Sequence, residues 1–302
     1  MKFEGIYTPA ITPLDENGQI DKTAFAEVLE HLIAAKVHGI IVGGSTGEYY
    51  AHTTQERLEL AALAKEVIGS RTVLIVGTGA VRTEESIEYA KAAKAIKADA
   101  ILLGSPPYAL PTEKENAAHA LAIDKAADLP IMLYNYPGRM STFMGREYLS
   151  IVTKESKNFV SIKESSGEMA QLHMLAREFP GIQISCGWDD QALEFFAWGA
   201  NSWTCAGSNF VPREHIALYE ACFVEKDFDK GRRIMSALMP LMDFLESGKF
   251  VQSIKYGCAL AGLRTGGVRA PLQELDQNEK QALATIITDL KRDVAAIVGE
   301  EA

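Results

Sequence analysis

A short β-rich run followed by an amphipathic helical stretch recurs along this sequence, and that recurrence constrains the fold most. Candidate strands run Ile6 to Ala10, Gly39 to Val42, Thr72 to Val76, Ala100 to Leu103, Pro130 to Tyr134, Val160 to Lys163, Gln183 to Cys186 and Ser202 to Cys205. Their starts lie 19 to 33 residues apart, the size of one βα unit. Several are almost unbroken apolar runs, such as Gly39-Ile40-Ile41-Val42. That suits parallel strands covered by helices. Between them the period changes to that of a helix. Phe25, Val28, Leu29, Leu32 and Ile33 fall on one helical face. Thr53 and Glu56 form a capping-box pattern, and Leu60, Leu63 and Val67 follow. Thr83 is placed to cap the next helix. Eight such strands predict an α/β fold of the (β/α)8 TIM-barrel type. A doubly wound open sheet has the same periodicity, because periodicity does not report closure.

After the eighth strand the pattern is helical: Pro212 to Val224, Asp227 to Ser247, Val251 to Ala261 and Gln277 to Ile297. The expected division is a catalytic barrel over 1–225 and a C-terminal helical extension over 226–302. No low-complexity linker separates them, so the extension is expected to pack on the barrel.

Composition narrows the function. The chain has 302 residues, 47% of them hydrophobic, with 30 Lys and Arg against 40 Asp and Glu. Such a chain folds around a core rather than staying disordered. A net charge of −10 without a basic run argues against nucleic-acid partners and anionic membranes. No apolar run approaches the roughly 20 residues of a membrane helix, and Met1 to Gly5 has no signal-peptide core. Cys186, Cys205, Cys222 and Cys258 form no CxxC pair, so no zinc or redox motif is offered. A cytoplasmic location with free thiols is expected.

Barrel enzymes carry their reactive residues at the C-terminal ends of the strands. In the sixth, Val160 and Ile162 suit the helix-facing side, which turns Ser161 and Lys163 inward. A lysine forced into a barrel loses hydration and is pushed toward a neutral, nucleophilic amine that can form a Schiff base. The same lysine could instead snorkel to solvent. Tyr134 has inward parity on the neighbouring fifth strand and could shuttle a proton, or serve as a core tyrosine. Gly43-Gly44-Ser45-Thr46-Gly47 offers amides and hydroxyls to a carboxylate, or is a plain βα turn. Arg139 suits recognition of a second carboxylate, or is a surface arginine. Asp189 and Asp190 could form a site pair, but are read mainly as helix caps.

Gly43 to Gly47 also matches the GxSxG nucleophile elbow, with Asp189 or Asp190 and then His215 in hydrolase order. That reading leaves Lys163 and Tyr134 without a role. The other histidines, 31, 38, 52, 119 and 173, read as helix-surface or loop residues. Gly77-Thr78-Gly79 lacks the third glycine of a dinucleotide loop.

Taken in order, GxxGE at Gly44 to Glu48, YNxP at Tyr134 to Pro137 and IKExSG at Ile162 to Gly167 resemble the dihydrodipicolinate synthase / N-acetylneuraminate lyase family of Schiff-base aldolases. The resemblance spans the chain. It implies a barrel with a helical extension, assembled as a homotetramer of two tight dimers, with no cofactor and no metal. It implies that Lys163 forms the imine with pyruvate or another 2-oxo acid. Tyr134, Ser45 and Tyr108 would relay protons, Tyr108 from the neighbouring subunit. Ser45 and Thr46 would hold the 2-oxo acid carboxylate, with Gly187 and Thr204 completing the substrate-binding set. Arg139 would bind the carboxylate of an aldehyde partner, which favours the synthase branch.

Three departures accompany the likeness. Phe250 to Lys255 replaces an Asn-Pro-x-x-x-Lys segment, and Tyr49 and Tyr50 replace small residues. Thr54 and Val81 stand where lysine-inhibited synthases carry histidine and asparagine, so lysine inhibition is not carried over. The same imine would also serve a sugar-acid aldolase, a dehydratase or a deaminase. A barrel that binds 2-oxo acids without catalysis is the reading from another class.

Overall fold

The computed structural model describes residues 1–299, so the last three residues of the expected extension lie outside the described residues. The strands are β1 (Gly5–Pro9), β2 (Gly39–Val42), β3 (Val73–Gly77), β4 (Ala100–Gly104), β5 (Ile131–Asn135), β6 (Phe159–Glu164), β7 (Gln183–Cys186) and β8 (Ser202–Thr204). All pair in parallel with their sequence neighbours, and β8 returns to β1, so the sheet is a closed barrel. The open-sheet alternative is thereby excluded.

Closure separates two apolar faces. Outward residues such as Ile40, Leu74, Ile101, Leu133 and Ile162 meet the helices in one large core. Inward residues such as Tyr7, Ile41, Ile75, Leu102 and Met132 fill the barrel itself. The alternation follows the two-residue pleat. One expectation fails: Val160 packs with the inward set, not the outward one. The pairing jumps from Ile131–Phe159 to Met132–Ser161, so Val160 is the extra residue of a β-bulge. The bulge absorbs one step of the alternation. Phe159 therefore faces out, while Ser161 and Lys163 still face in.

The helices are α1 (Lys22–Ala34), α2 (Thr54–Ile68), α3 (Thr83–Ala95), α4 (Glu113–Ala127), α5 (Pro137–Met140), α6 (Arg146–Glu155), α7 (Met169–Glu178), α8 (Ala192–Ala197), α9 (Pro212–Tyr219), α10 (Phe228–Glu246), α11 (Phe250–Leu260) and α12 (Gln277–Val298). Thr53 and Glu56 form the expected capping box on α2. Thr83 does not cap α3. It is the first helical residue, and its hydroxyl lies 2.9 Å from His119 Nδ1. That contact buries His119, which was expected at a surface or in a loop. The helix expected over Pro212 to Val224 is α9 followed by one wide π turn, Glu220–Val224. Helices α10, α11 and α12 pack on α8, α9 and the turns at the strand ends. Among the described residues, no helix is long and apolar enough to cross a membrane.

Candidate active site

Lys163 is aligned with Tyr134 on one side and Ser185 on the other by the parallel register of β5, β6 and β7. Its Nζ sits 4.4 Å from the centre of the Tyr134 ring. The lysine stem runs over Gly187. A Cβ there would stand 2.7 Å from Lys163 Cγ and 2.8 Å from Cε, so only glycine leaves the side chain room. Burial pushes the Lys163 ammonium toward deprotonation, the Asp189 carboxylate opposes this, and the Arg139 guanidinium adds to it. Burial also pushes the Tyr134 phenol up to about 12, while Arg139 and a hydrogen bond with Ser45 pull it back.

Ser45 and Thr46 open a 3₁₀ turn, Ser45–Gly47, which Gly43 and Gly44 link to β2. The first amides of such a turn have no partner within it. Gly43 has φ +70, a left-handed conformation that favours glycine. Gly77 at the top of β3 backs this approach: a Cβ there would meet the Gly43 carbonyl oxygen at 2.2 Å. Thr204 is buried with its hydroxyl 2.9 Å from that of Ser185.

These residues converge. Ser45, Thr46, Tyr134, Lys163, Gly187 and Thr204 line one cavity of about 250 Å³ at the C-terminal end of the barrel. Arg139, on α5, lines the same cavity, with its guanidinium 5.5 Å from the centre of the Tyr136 ring. Tyr108 does not line it. That residue is 93% exposed and has φ +70.

Asp189 was read mainly as a helix cap, and the structure corrects this. Neither Asp189 nor Asp190 caps a helix through its side chain. Asp189 is buried, lines the cavity, and accepts a 2.8 Å hydrogen bond from the Trp203 indole. Burial pushes its carboxyl well above the usual carboxylate range, while Lys163 and the Trp203 bond hold it down. Its position two residues after Gly187 was the available signal. Glu246 of α10 and Phe250 of α11 also line the cavity. Nothing local in the sequence ties those two to the strand ends.

The other motif residues have structural work. Asn135 donates to the Glu164 carboxylate at 2.8 Å and accepts from the Met144 amide at 3.0 Å. Glu164 in turn accepts from the Ser166 amide at 2.7 Å. The hydrolase reading does not assemble. His215 is buried outside the cavity, its Nδ1 2.7 Å from the Val211 carbonyl and its ring 4.7 Å from that of Trp203. Among the described residues, no cluster of three or more His, Cys, Asp or Glu side chains is placed to hold a metal ion.

The dihydrodipicolinate synthetase family model matches residues 2–290. The chain belongs to the dihydrodipicolinate synthetase family. As a member it is an enzyme, and its relatives bear this out. It is 35% identical to a 4-hydroxy-tetrahydrodipicolinate synthase of Exiguobacterium sibiricum, over 89% of this chain and 92% of the relative. It is 31% identical to that of Heliobacterium modesticaldum, over 98% of both. Among solved structures, the synthase of Methylacidiphilum fumariolicum SolV superposes with a TM-score of 0.94 at 32% identity, covering both chains fully. A prophage protein of the family from E. coli K12, in complex with pyruvate, superposes with a TM-score of 0.91 at 27% identity, over 96% of this chain and 99% of that one.

Proposed function

We propose that the protein is a Schiff-base lyase of the 4-hydroxy-tetrahydrodipicolinate synthase type, joining pyruvate to an aldehyde that carries a carboxylate. The observation that carries this is Lys163, desolvated beside Tyr134 in a cavity that hydroxyls and an arginine also line. The pyruvate complex of the E. coli relative supports a 2-oxo acid as the first substrate.

The neutral amine of Lys163 attacks the ketone carbon of pyruvate while its carboxylate rests on Ser45 and Thr46. Tyr134 gives a proton to the carbinolamine hydroxyl, which leaves as water, and a protonated imine remains. Loss of a methyl proton gives the enamine, with the nitrogen as electron sink. The enamine carbon then bonds to the aldehyde carbon, whose oxygen takes up a proton. Arg139 holds the aldehyde's carboxylate in a forked contact. Attack on the imine carbon by an amine of the adduct, or by water, releases Lys163. The iminium is the electron sink, so the scheme draws on no metal and no cofactor.

Tyr108 is given to the site of a neighbouring subunit in this reading, within a homotetramer. Its exposure, with Leu110 and Val81 also exposed on adjoining loops, supports a partner there. The reading places the enzyme in the cytoplasm.

Borohydride trapping tests the chemistry. Reduction in the presence of pyruvate is expected to add one pyruvate-sized group, mapped to Lys163 and lost in Lys163→Ala. Folded protein that gives no adduct with any 2-oxo acid would overturn the proposal.

A further inference from the structure

The scheme above leaves one buried ion pair without a task. Glu48 follows the Ser45–Gly47 turn and has φ +57, a conformation uncommon for residues other than glycine. Its Oε2 lies 2.6 Å from Nζ of Lys255 on α11, and the two side chains are only 1% and 3% exposed. Its Oε1 accepts a 3.0 Å hydrogen bond from the Arg269 backbone amide. Lys255 also donates to the Gly267 carbonyl at 2.6 Å. Arg269 closes the circuit: its guanidinium donates to the Ala51 carbonyl at 2.7 Å and pairs with Glu56 in the first turn of α2.

The chain from Glu48 to Glu56 is therefore gripped by segments of the C-terminal region. The near side of the turn is gripped as well. Thr12 donates to the Gly47 carbonyl at 2.9 Å, and a Cβ on Gly47 would meet the Ala10 carbonyl oxygen at 2.9 Å. A buried ion pair is a poor way to gain stability, because both charges lose their hydration. It is an effective way to fix one geometry, because removing either partner strands a charge. The segment so fixed follows directly on Ser45 and Thr46, which line the cavity.

We propose that Glu48 and Lys255 are positioning residues that set the Ser45–Thr46 turn at the distance from Lys163 at which it meets the carboxylate of the carbonyl substrate. The inference rests on the proposed function in taking Ser45 and Thr46 as the carboxylate's partners. Neither Glu48 nor Lys255 touches substrate. The pair acts through the turn, so it separates substrates with a carboxylate from those without one.

The test compares the rates at which borohydride traps pyruvate and acetone on Lys163, in the whole chain. Acetone has the ketone but no carboxylate. Glu48→Gln and Lys255→Met are expected to slow trapping of pyruvate roughly ten- to a hundred-fold, the scale of a misplaced binding group. Acetone trapping is expected to stay within about two-fold, since it makes no use of the turn. The double variant leaves no charge stranded, so it keeps the fold even where a single variant does not. It too is expected to lose the preference for pyruvate. Folded variants that keep the preference, or that slow both ketones alike, would overturn the inference. Unaltered protein that traps the two ketones equally would instead overturn the carboxylate reading of Ser45 and Thr46.

Discussion

At Lys163 two opposed effects set the proton affinity of the amine. Burial favours the neutral nucleophile, while the Asp189 carboxylate favours the ammonium. The pH at which pyruvate trapping reaches half its maximum is expected well below the ordinary lysine value of about 10.4. Asp189→Asn removes the charge that holds the proton on, so the midpoint is expected to move further down. A pH series of trapping rates on the two proteins checks the sign, and an upward shift would contradict it. Lys163 and Tyr134 were legible in the sequence because strand alternation and neighbouring registers depend on local pattern. Asp189 was only half legible, because an aspartate after a strand looks the same whether it caps a helix or bonds Trp203 on the next strand. Glu48 belonged to a readable motif, but its partner Lys255 lies on a helix no local pattern connects to it.

Among the elements, the tops of β2 and β3 act as one support. Gly77 lets β3 press against Gly43, which lies two residues before the turn that carries Ser45. Gly77→Ala is expected to cost about 1–3 kcal/mol of stability by overpacking, read as a lowered midpoint in denaturant. It should also weaken pyruvate trapping. Full stability would show that the contact relaxes freely. The bulge in β6 has the opposite legibility. The alternation rule aimed Lys163 correctly while misplacing Val160, since the rule cannot see an inserted residue. Counted back from Lys163 without the bulge, Phe159 would face the barrel interior. With it, that ring joins the outer core. The caps divide likewise. Thr53 has its glutamate three residues on and was readable, whereas Thr83 lacks one and bonds His119 instead.

Over the whole molecule, barrel architecture was legible from eight repeated units, but closure was not. Closure is the β1–β8 pairing, which no neighbouring residues report. Assembly is open to a direct test. If Tyr108 serves a neighbour's site, Tyr108→Phe and Lys163→Ala subunits, each impaired alone, should regain activity when mixed and reassembled. In the mixed pair, one site holds an intact Lys163 and receives an intact Tyr108. Turnover in the mixture no higher than in the separate variants would place Tyr108 outside the relay. The β1–β8 seam also governs how the chain comes into being. Thr8 meets Ser208 at 2.7 Å, and Asn209 donates to the Pro9 carbonyl at 2.9 Å. Strand β1, made before the other seven strands of the barrel, thus waits for β8. Until Thr204 emerges, the nascent sheet exposes two unpaired edges, the feature that makes partly made barrels prone to aggregate and dependent on chaperones.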